Sequence, residues 1–191
     1  MAKLALMLSC LFLGMAVLVV HSTNIQGPKE IDEWFKTLNN SKEKLTRLHF
    51  YFHDAISGKN PTAVKITEPA DGFRSPTSFG QVDMIDNLLT EGPEPDSKPV
   101  GRAQGLYAYA SMEEFALLMV INFVFTGGDY NGSSLAVLGR NPVRHQLREM
   151  PIIGGTGVFR LARGSATART YSFELESLDA IVEYDIAAIH Y

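Results

Sequence analysis

The chain has 191 residues, 46% of them hydrophobic, with 17 Lys+Arg against 21 Asp+Glu and a formal net charge of -4. That length fits one domain. The acidic balance excludes a protein that tracks a phosphate backbone, and the hydrophobic content excludes wholesale disorder.

In chain order, Met1-Ala2-Lys3 supplies a short positive start and Leu4 to Val20 runs without a charge before the polar stretch His21-Ser22-Thr23-Asn24. The run carries Ser9, Cys10 and Gly14 and is short for a bilayer span. Residues 1–22 therefore read as a secretory signal peptide. Its removal leaves a mature chain of about 169 residues with no membrane segment, and it takes Cys10, the only cysteine. The mature protein then has neither disulfide nor thiol, and must be stabilised by its core, its assembly or both. Asn39-Asn40-Ser41 and Asn131-Gly132-Ser133 are glycosylation sequons on expected surface segments; Asn60-Pro61-Thr62 is disqualified by its proline.

Residues 23–45 form an extension in which Ile31, Trp34, Phe35 and Leu38 fall on one face of a short amphipathic helix. Residues 46–191 form the main domain, where the period changes to two: Leu48, Phe50 and Phe52 alternate with His49, Tyr51 and His53. Further strands are expected over 79–88, 101–110, 115–126, 133–138, 158–171 and 180–191. Turns divide them at Ser57-Gly58, Gly92-Pro93, Asn131-Gly132 and Gly154-Gly155-Thr156-Gly157. Seven or eight strands with no long helix between them imply an all-β antiparallel meander closed as a barrel. Such a barrel is either filled by side chains or holds one small ligand. The segment 115–125 is apolar on both parities, so its outer face needs a second cover, and a subunit interface is the expected one.

Several familiar signals fail. His49 and His53 stand about 13 Å apart on a strand, too far to share one ion. No cysteine cluster, nucleophile elbow, phosphate loop or dinucleotide fingerprint appears. No metal, cofactor or redox centre is expected. What remains are polar residues on apolar strands. Asp54 shares parity with Phe50 and Phe52, which either buries a carboxyl suited to proton donation or caps the Ser57-Gly58 turn. Tyr107 and Tyr109 share the parity of Gly105, and two tyrosines beside a glycine either leave space for a ligand and hydrogen-bond it or pack in the core. Arg148 either clamps an oxygen-rich ligand or lies exposed.

Tyr51-Phe52-His53-Asp54, Gly101-Arg102-Ala103-Gln104-Gly105-Leu106-Tyr107-Ala108-Tyr109, Gly139-Arg140-Asn141-Pro142, Gly154-Gly155-Thr156-Gly157-Val158-Phe159 and Ala162-Arg163-Gly164 resemble, in order, the plant dirigent family. The resemblance implies an eight-stranded antiparallel up-and-down barrel, assembled as a homotrimer or homodimer and secreted to the apoplast. It implies a protein that directs the coupling of phenoxy radicals made from monolignol-type phenols by an external laccase or peroxidase, through quinone methide intermediates. Carried over by position, Asp54, Tyr107 and Arg148 would act on the substrate, with Phe52, Tyr109 and Asn141 lining its pocket. Two departures stand out. Lignan-forming members carry an aspartate where this chain has Asn141, which cannot donate an acidic proton, and they tend to carry a disulfide. The motifs look more like the branch that includes pterocarpan synthases, which dehydrate an isoflavanol and close a ring. A third expectation, from another class, is a secreted barrel that binds phenolics or glycans without transforming them.

Overall fold

The computed structural model describes residues 27–69 and 74–191; the expected signal peptide lies outside them. One α-helix, α1 (Pro28–Thr37), precedes nine strands: β1 (Lys44–Asp54), β2 (Ala63–Thr67), β3 (Val82–Thr90), β4 (Pro99–Tyr109), β5 (Ala116–Phe125), β6 (Ser134–Pro142), β7 (Arg148–Thr156), β8 (Arg163–Phe173) and β9 (Ala180–His190). Helix α1 starts with Pro28 in its first turn and the Gly27 N–H donating to Glu30 Oε2 at 3.0 Å. Ile31, Trp34 and Leu38 are half-buried, Phe35 is exposed, and the Arg160 guanidinium lies 4.6 Å from the Trp34 ring.

The strands form one antiparallel sheet in the order β1-β9-β8-β7-β6-β5-β4-β3, closed by pairing of β1 with β3. Strand β2 adds no ninth position. Tyr51–His53 of β1 pair with one end of β3 and Ala63–Lys65 of β2 with the other, so β1 and β2 are one barrel position split by residues 55–62. The split is pinned at its base, where the Ala55 carbonyl accepts from the Thr62 and Ala63 N–H groups at 2.8 and 3.0 Å. The protein is an eight-stranded closed antiparallel barrel with one short helix, as its alternating pattern implied.

Two strands escape the sequence pattern. β7 contains Pro151 and the Gly154-Gly155 pair, which reads as a turn; the turn itself is a 3-10 segment, Gly157–Phe159. The ladder to β6 ends at Ile152, so the missing N–H of Pro151 breaks no bond on that side. β8 accordingly starts at Arg163, not at Val158. β2 is only five residues long and pairs on one edge.

Inside the barrel, alternate residues bury and divide it into two halves. Toward one end Phe50, Phe123, Phe125, Phe159 and Tyr184 fill the lumen; Phe50 and Phe123 meet edge to face at 5.0 Å. Toward the other end, where β1, β4, β6 and β8 finish, the lumen stays open. Gly105 shares inner parity with Ala103 and Tyr107, but it does not chiefly make room for ligand. Its φ is +147°, and a Cβ there would stand 2.2 Å from the Val120 carbonyl oxygen of β5. Only glycine lets β4 and β5 approach so closely.

Outside, Val64, Met84, Leu106, Val120 and Leu138 are register neighbours across β2, β3, β4, β5 and β6. Val64, Met84, Val120 and Leu138 are exposed, as is Leu118 beside them. The doubly apolar segment of β5 thus turns Leu117, Met119, Ile121 and Phe123 inward, and Leu118 and Val120 outward.

Candidate functional site

The open half of the barrel holds a cavity of about 440 Å³, within the range that takes one drug-sized ligand. Phe52 and Asp54 reach it from β1, Tyr107 and Tyr109 from β4, Asn141 from β6 and Arg148 from β7. The six residues singled out from sequence therefore converge on one space.

Asp54 is the last residue of β1, and parity carries it inward after Phe50 and Phe52. Its Oδ1 accepts from Asn87 Nδ2 at 2.9 Å and its Oδ2 from the Tyr107 hydroxyl at 3.2 Å. Burial pushes its carboxyl up from 3.8 to about 6; the two donors oppose that shift, and the charges of Asp83 and Asp179 add to it. Asp54 therefore exchanges a proton near neutral pH. Of the two readings open from sequence, the structure takes the buried one. The turn after β1 is capped instead by Asp179, whose Oδ1 accepts from the Ile56 and Ser57 N–H groups at 2.8 and 3.1 Å. Tyr107 and Tyr109 are driven up in pKa by burial and by the nearby carboxylates, so both stay neutral phenols.

Arg148 is 3% exposed, against the alternative of a surface arginine. Its Nη1 donates to the Val143 carbonyl and to Thr170 Oγ1, both at 2.9 Å, and its Nε to the Ala168 carbonyl at 3.4 Å. Its Nη2 has no partner, and neither has Oδ1 of Asn141, itself 5% exposed. Buried polar atoms are nearly always hydrogen-bonded. Both residues line the cavity, so an unpartnered donor and an unpartnered acceptor stand in its wall, on the two strands of one hairpin. Burial lowers the Arg148 pKa, yet a guanidinium remains charged.

The cavity thus has two polar poles. β1 carries Asp54, while β6 and β7, which carry Asn141 and Arg148, lie three or more positions away around the barrel in either direction for β7 and four for β6. Phe52, Leu117, Met119 and Val182 supply apolar wall between them.

Sequence reasoning missed Asn87 and Asp179. Asn87 is fully buried on the inward parity of β3, with Ile85 and Leu89; an amide inside an apolar series was the available signal. His49 and His53 do not line the cavity. His53 Nε2 donates at 2.6 Å to Thr90 Oγ1, because that hydroxyl itself donates to the Gly92 carbonyl. His49 stands near Glu183 and Asp185, and Arg169 bonds both carboxylates at 3.1 Å. Asn39 and Asn131 are both exposed, while Ser133 of the second sequon is buried with its Oγ accepting from the Val158 N–H.

A closed eight-stranded antiparallel barrel with polar side chains inside one open end is an architecture of the dirigent type. The sequence model described as Dirigent-like protein matches residues 45–189, and the chain belongs to the dirigent family. It is 49% identical to Dirigent protein 23 of Arabidopsis thaliana over 84% of this chain and 86% of that one. It is 51% identical to Pterocarpan synthase 1 of Glycine max, over 78% and 81% respectively. A solved pterocarpan synthase dirigent protein superposes with a TM-score of 0.75 at 49% identity, covering 79% of this chain and 87% of that one.

Proposed function

We propose that the protein takes a phenolic substrate into the cavity, holds it as a quinone methide, and directs the next bond to one face. The observation that carries this reading is the pair of opposed poles: a carboxyl poised near neutrality on one wall, an unsatisfied Arg148–Asn141 pair on the other. Protonated Asp54 gives its proton to the quinone methide carbonyl oxygen, which becomes a phenol while the exocyclic carbon gains electrophilic character. A hydroxyl adds to that carbon, and its proton leaves to the carboxylate or to solvent at the mouth. Positioned acid catalysis of this kind is worth about 10²–10⁴-fold. Anchoring a second hydroxyl at Arg148 and Asn141 fixes which face is presented.

Two sources of the quinone methide are distinguished by experiment. In the first, an external laccase or peroxidase makes phenoxy radicals from a monolignol-type phenol and the cavity directs their coupling. In the second, the protein itself dehydrates an isoflavanol; the pterocarpan synthase relatives and the amide at Asn141 favour it. The test incubates wild type and Asp54→Asn with an isoflavanol alone, and with coniferyl alcohol plus laccase, followed by chiral chromatography. Optically active product in the second mixture supports coupling, and product in the first without oxidant supports dehydration. If protein alters neither, the barrel only binds.

The same reading makes the protein a secreted apoplastic glycoprotein carrying sugar on Asn39 and Asn131, with no nucleic-acid partner. Its apolar outer row from Val64 to Leu138 supports association with further copies of itself as a trimer or dimer.

A further inference from the structure

The mouth of the cavity is bordered by two apolar residues from distant parts of the chain. Ile56 comes from the excursion that splits β1 from β2, and Leu178 from the turn between β8 and β9. Asp54 and Ala180, register partners, lie just inside them. Leu178 sits at φ +62°, a left-handed conformation that is unfavourable for a non-glycine residue. Its turn is closed by Leu178 N–H donating to the Glu174 carbonyl and Glu174 N–H to the Asp179 carbonyl, both at 2.9 Å.

One side chain joins the two segments. Asp179 Oδ1 accepts from the Ile56 and Ser57 N–H groups at 2.8 and 3.1 Å, and its Oδ2 accepts from Ser57 Oγ at 3.1 Å. A single carboxylate thus takes three donors from the opposite lip. We infer that Asp179 is the positioning residue of the site, a latch that ties the lip carrying Ile56 to the lip carrying Leu178 and so narrows the mouth beside Asp54. This rests on the reading of the cavity as the place of turnover.

The latch acts on Asp54 by two routes of the same sign. Tied lips narrow the access of water to the carboxyl, and the Asp179 charge itself opposes ionisation of Asp54. Asp179 stays ionised: burial pushes its pKa up, but the Ile56, Ser57 and Ser177 hydrogen bonds outweigh that and leave it low. The other titratable groups acting on Asp54 are Asp83 from β3, Tyr107 and Tyr109 from β4 and Tyr184 from β9.

The test compares wild type, Asp179→Ala, Asp179→Asn and Asp54→Asn as full chains, in an isoflavanol mixture and in a coniferyl alcohol plus laccase mixture. It reads kcat, KM, enantiomeric excess and pH profile, together with hydrogen exchange at residues 55–58. Losing the latch bonds in Asp179→Ala is expected to raise KM about tenfold, to lower the enantiomeric excess, and to shift the Asp54-dependent limb toward lower pH. Exchange at Ile56 and Ser57 accelerates while the strands stay protected. Asp179→Asn keeps an acceptor and recovers KM and enantiomeric excess, but without the charge its limb remains shifted. Unchanged exchange at Ile56 and Ser57, or a fall in kcat with an unmoved limb, overturns the latch. If Asp54→Asn matches wild type in both mixtures, it is the proposed function that fails, and the exchange data alone then decide the role of Asp179.

Discussion

Replacing Asp54 with asparagine should stabilise the protein at neutral pH even as it removes the acid. The folded carboxyl titrates near 6 instead of 3.8, so the fold favours its protonated form. Stability from that preference is fully present below about pH 4, is lost as pH rises toward 6, and stays lost above it. At pH 7 the penalty of ionising the folded carboxyl is at most about 3 kcal/mol, at roughly 1.4 kcal/mol per unit of displacement. Asp54 opens partly onto the cavity, which weakens the desolvation, and an asparagine there still accepts from Asn87 or Tyr107, so a gain of about 1–2 kcal/mol is expected. In a domain of this size that raises Tm by roughly 2–8 °C. Thermal and urea unfolding followed by circular dichroism at pH 4, 5.5 and 7 measures it. The variant should exceed wild type at pH 7 and converge with it at pH 4. A variant less stable at pH 7, or a gap independent of pH, would refute the placement of this carboxyl in a desolvating pocket.

Arg148→Lys keeps the charge but not the fork that reaches Val143, Thr170 and the cavity together, so affinity for a phenolic substrate should fall about 10–100-fold by calorimetry; unchanged affinity removes the free Nη2 from the site. Gly105→Ala forces a Cβ into the Val120 carbonyl and should cost about 2–4 kcal/mol in urea unfolding, or prevent folding; a neutral substitution would mean that β4 and β5 can separate. Val120→Asp places a charge in the outer apolar row and is expected to abolish the proposed self-association, read by light scattering; a wild type already monomeric refutes that proposal.

Much of the barrel was legible because one inner face must be apolar, and the period-two pattern of Leu48, Phe50 and Phe52 records that directly. The same parity carried Asp54 inward. β7 was not legible: Pro151 and Gly154-Gly155 imitate a turn, and are tolerated because the ladder to β6 stops at Ile152. β2 was hidden by its length. The partners of the site were less legible still. Asn87 lies 33 residues from Asp54 along the chain and reaches it only because β3 closes the barrel against β1. Asp179 lies beyond Ser57 by 122 residues, and no local pattern links the two. Parity gives direction, while partnership depends on closure.

If Asp54 supplies the proton in a stereodirected step, the rate of optically active product formation must follow its titration with pH. Wild type should lose activity as pH rises through about 6, the point set by the buried carboxyl, with Asp54→Asn lower by about 10²-fold or more and without that limb. A wild-type profile flat between pH 5 and 8, or an Asp54→Asn variant that keeps both the rate and the enantiomeric excess, would contradict the account.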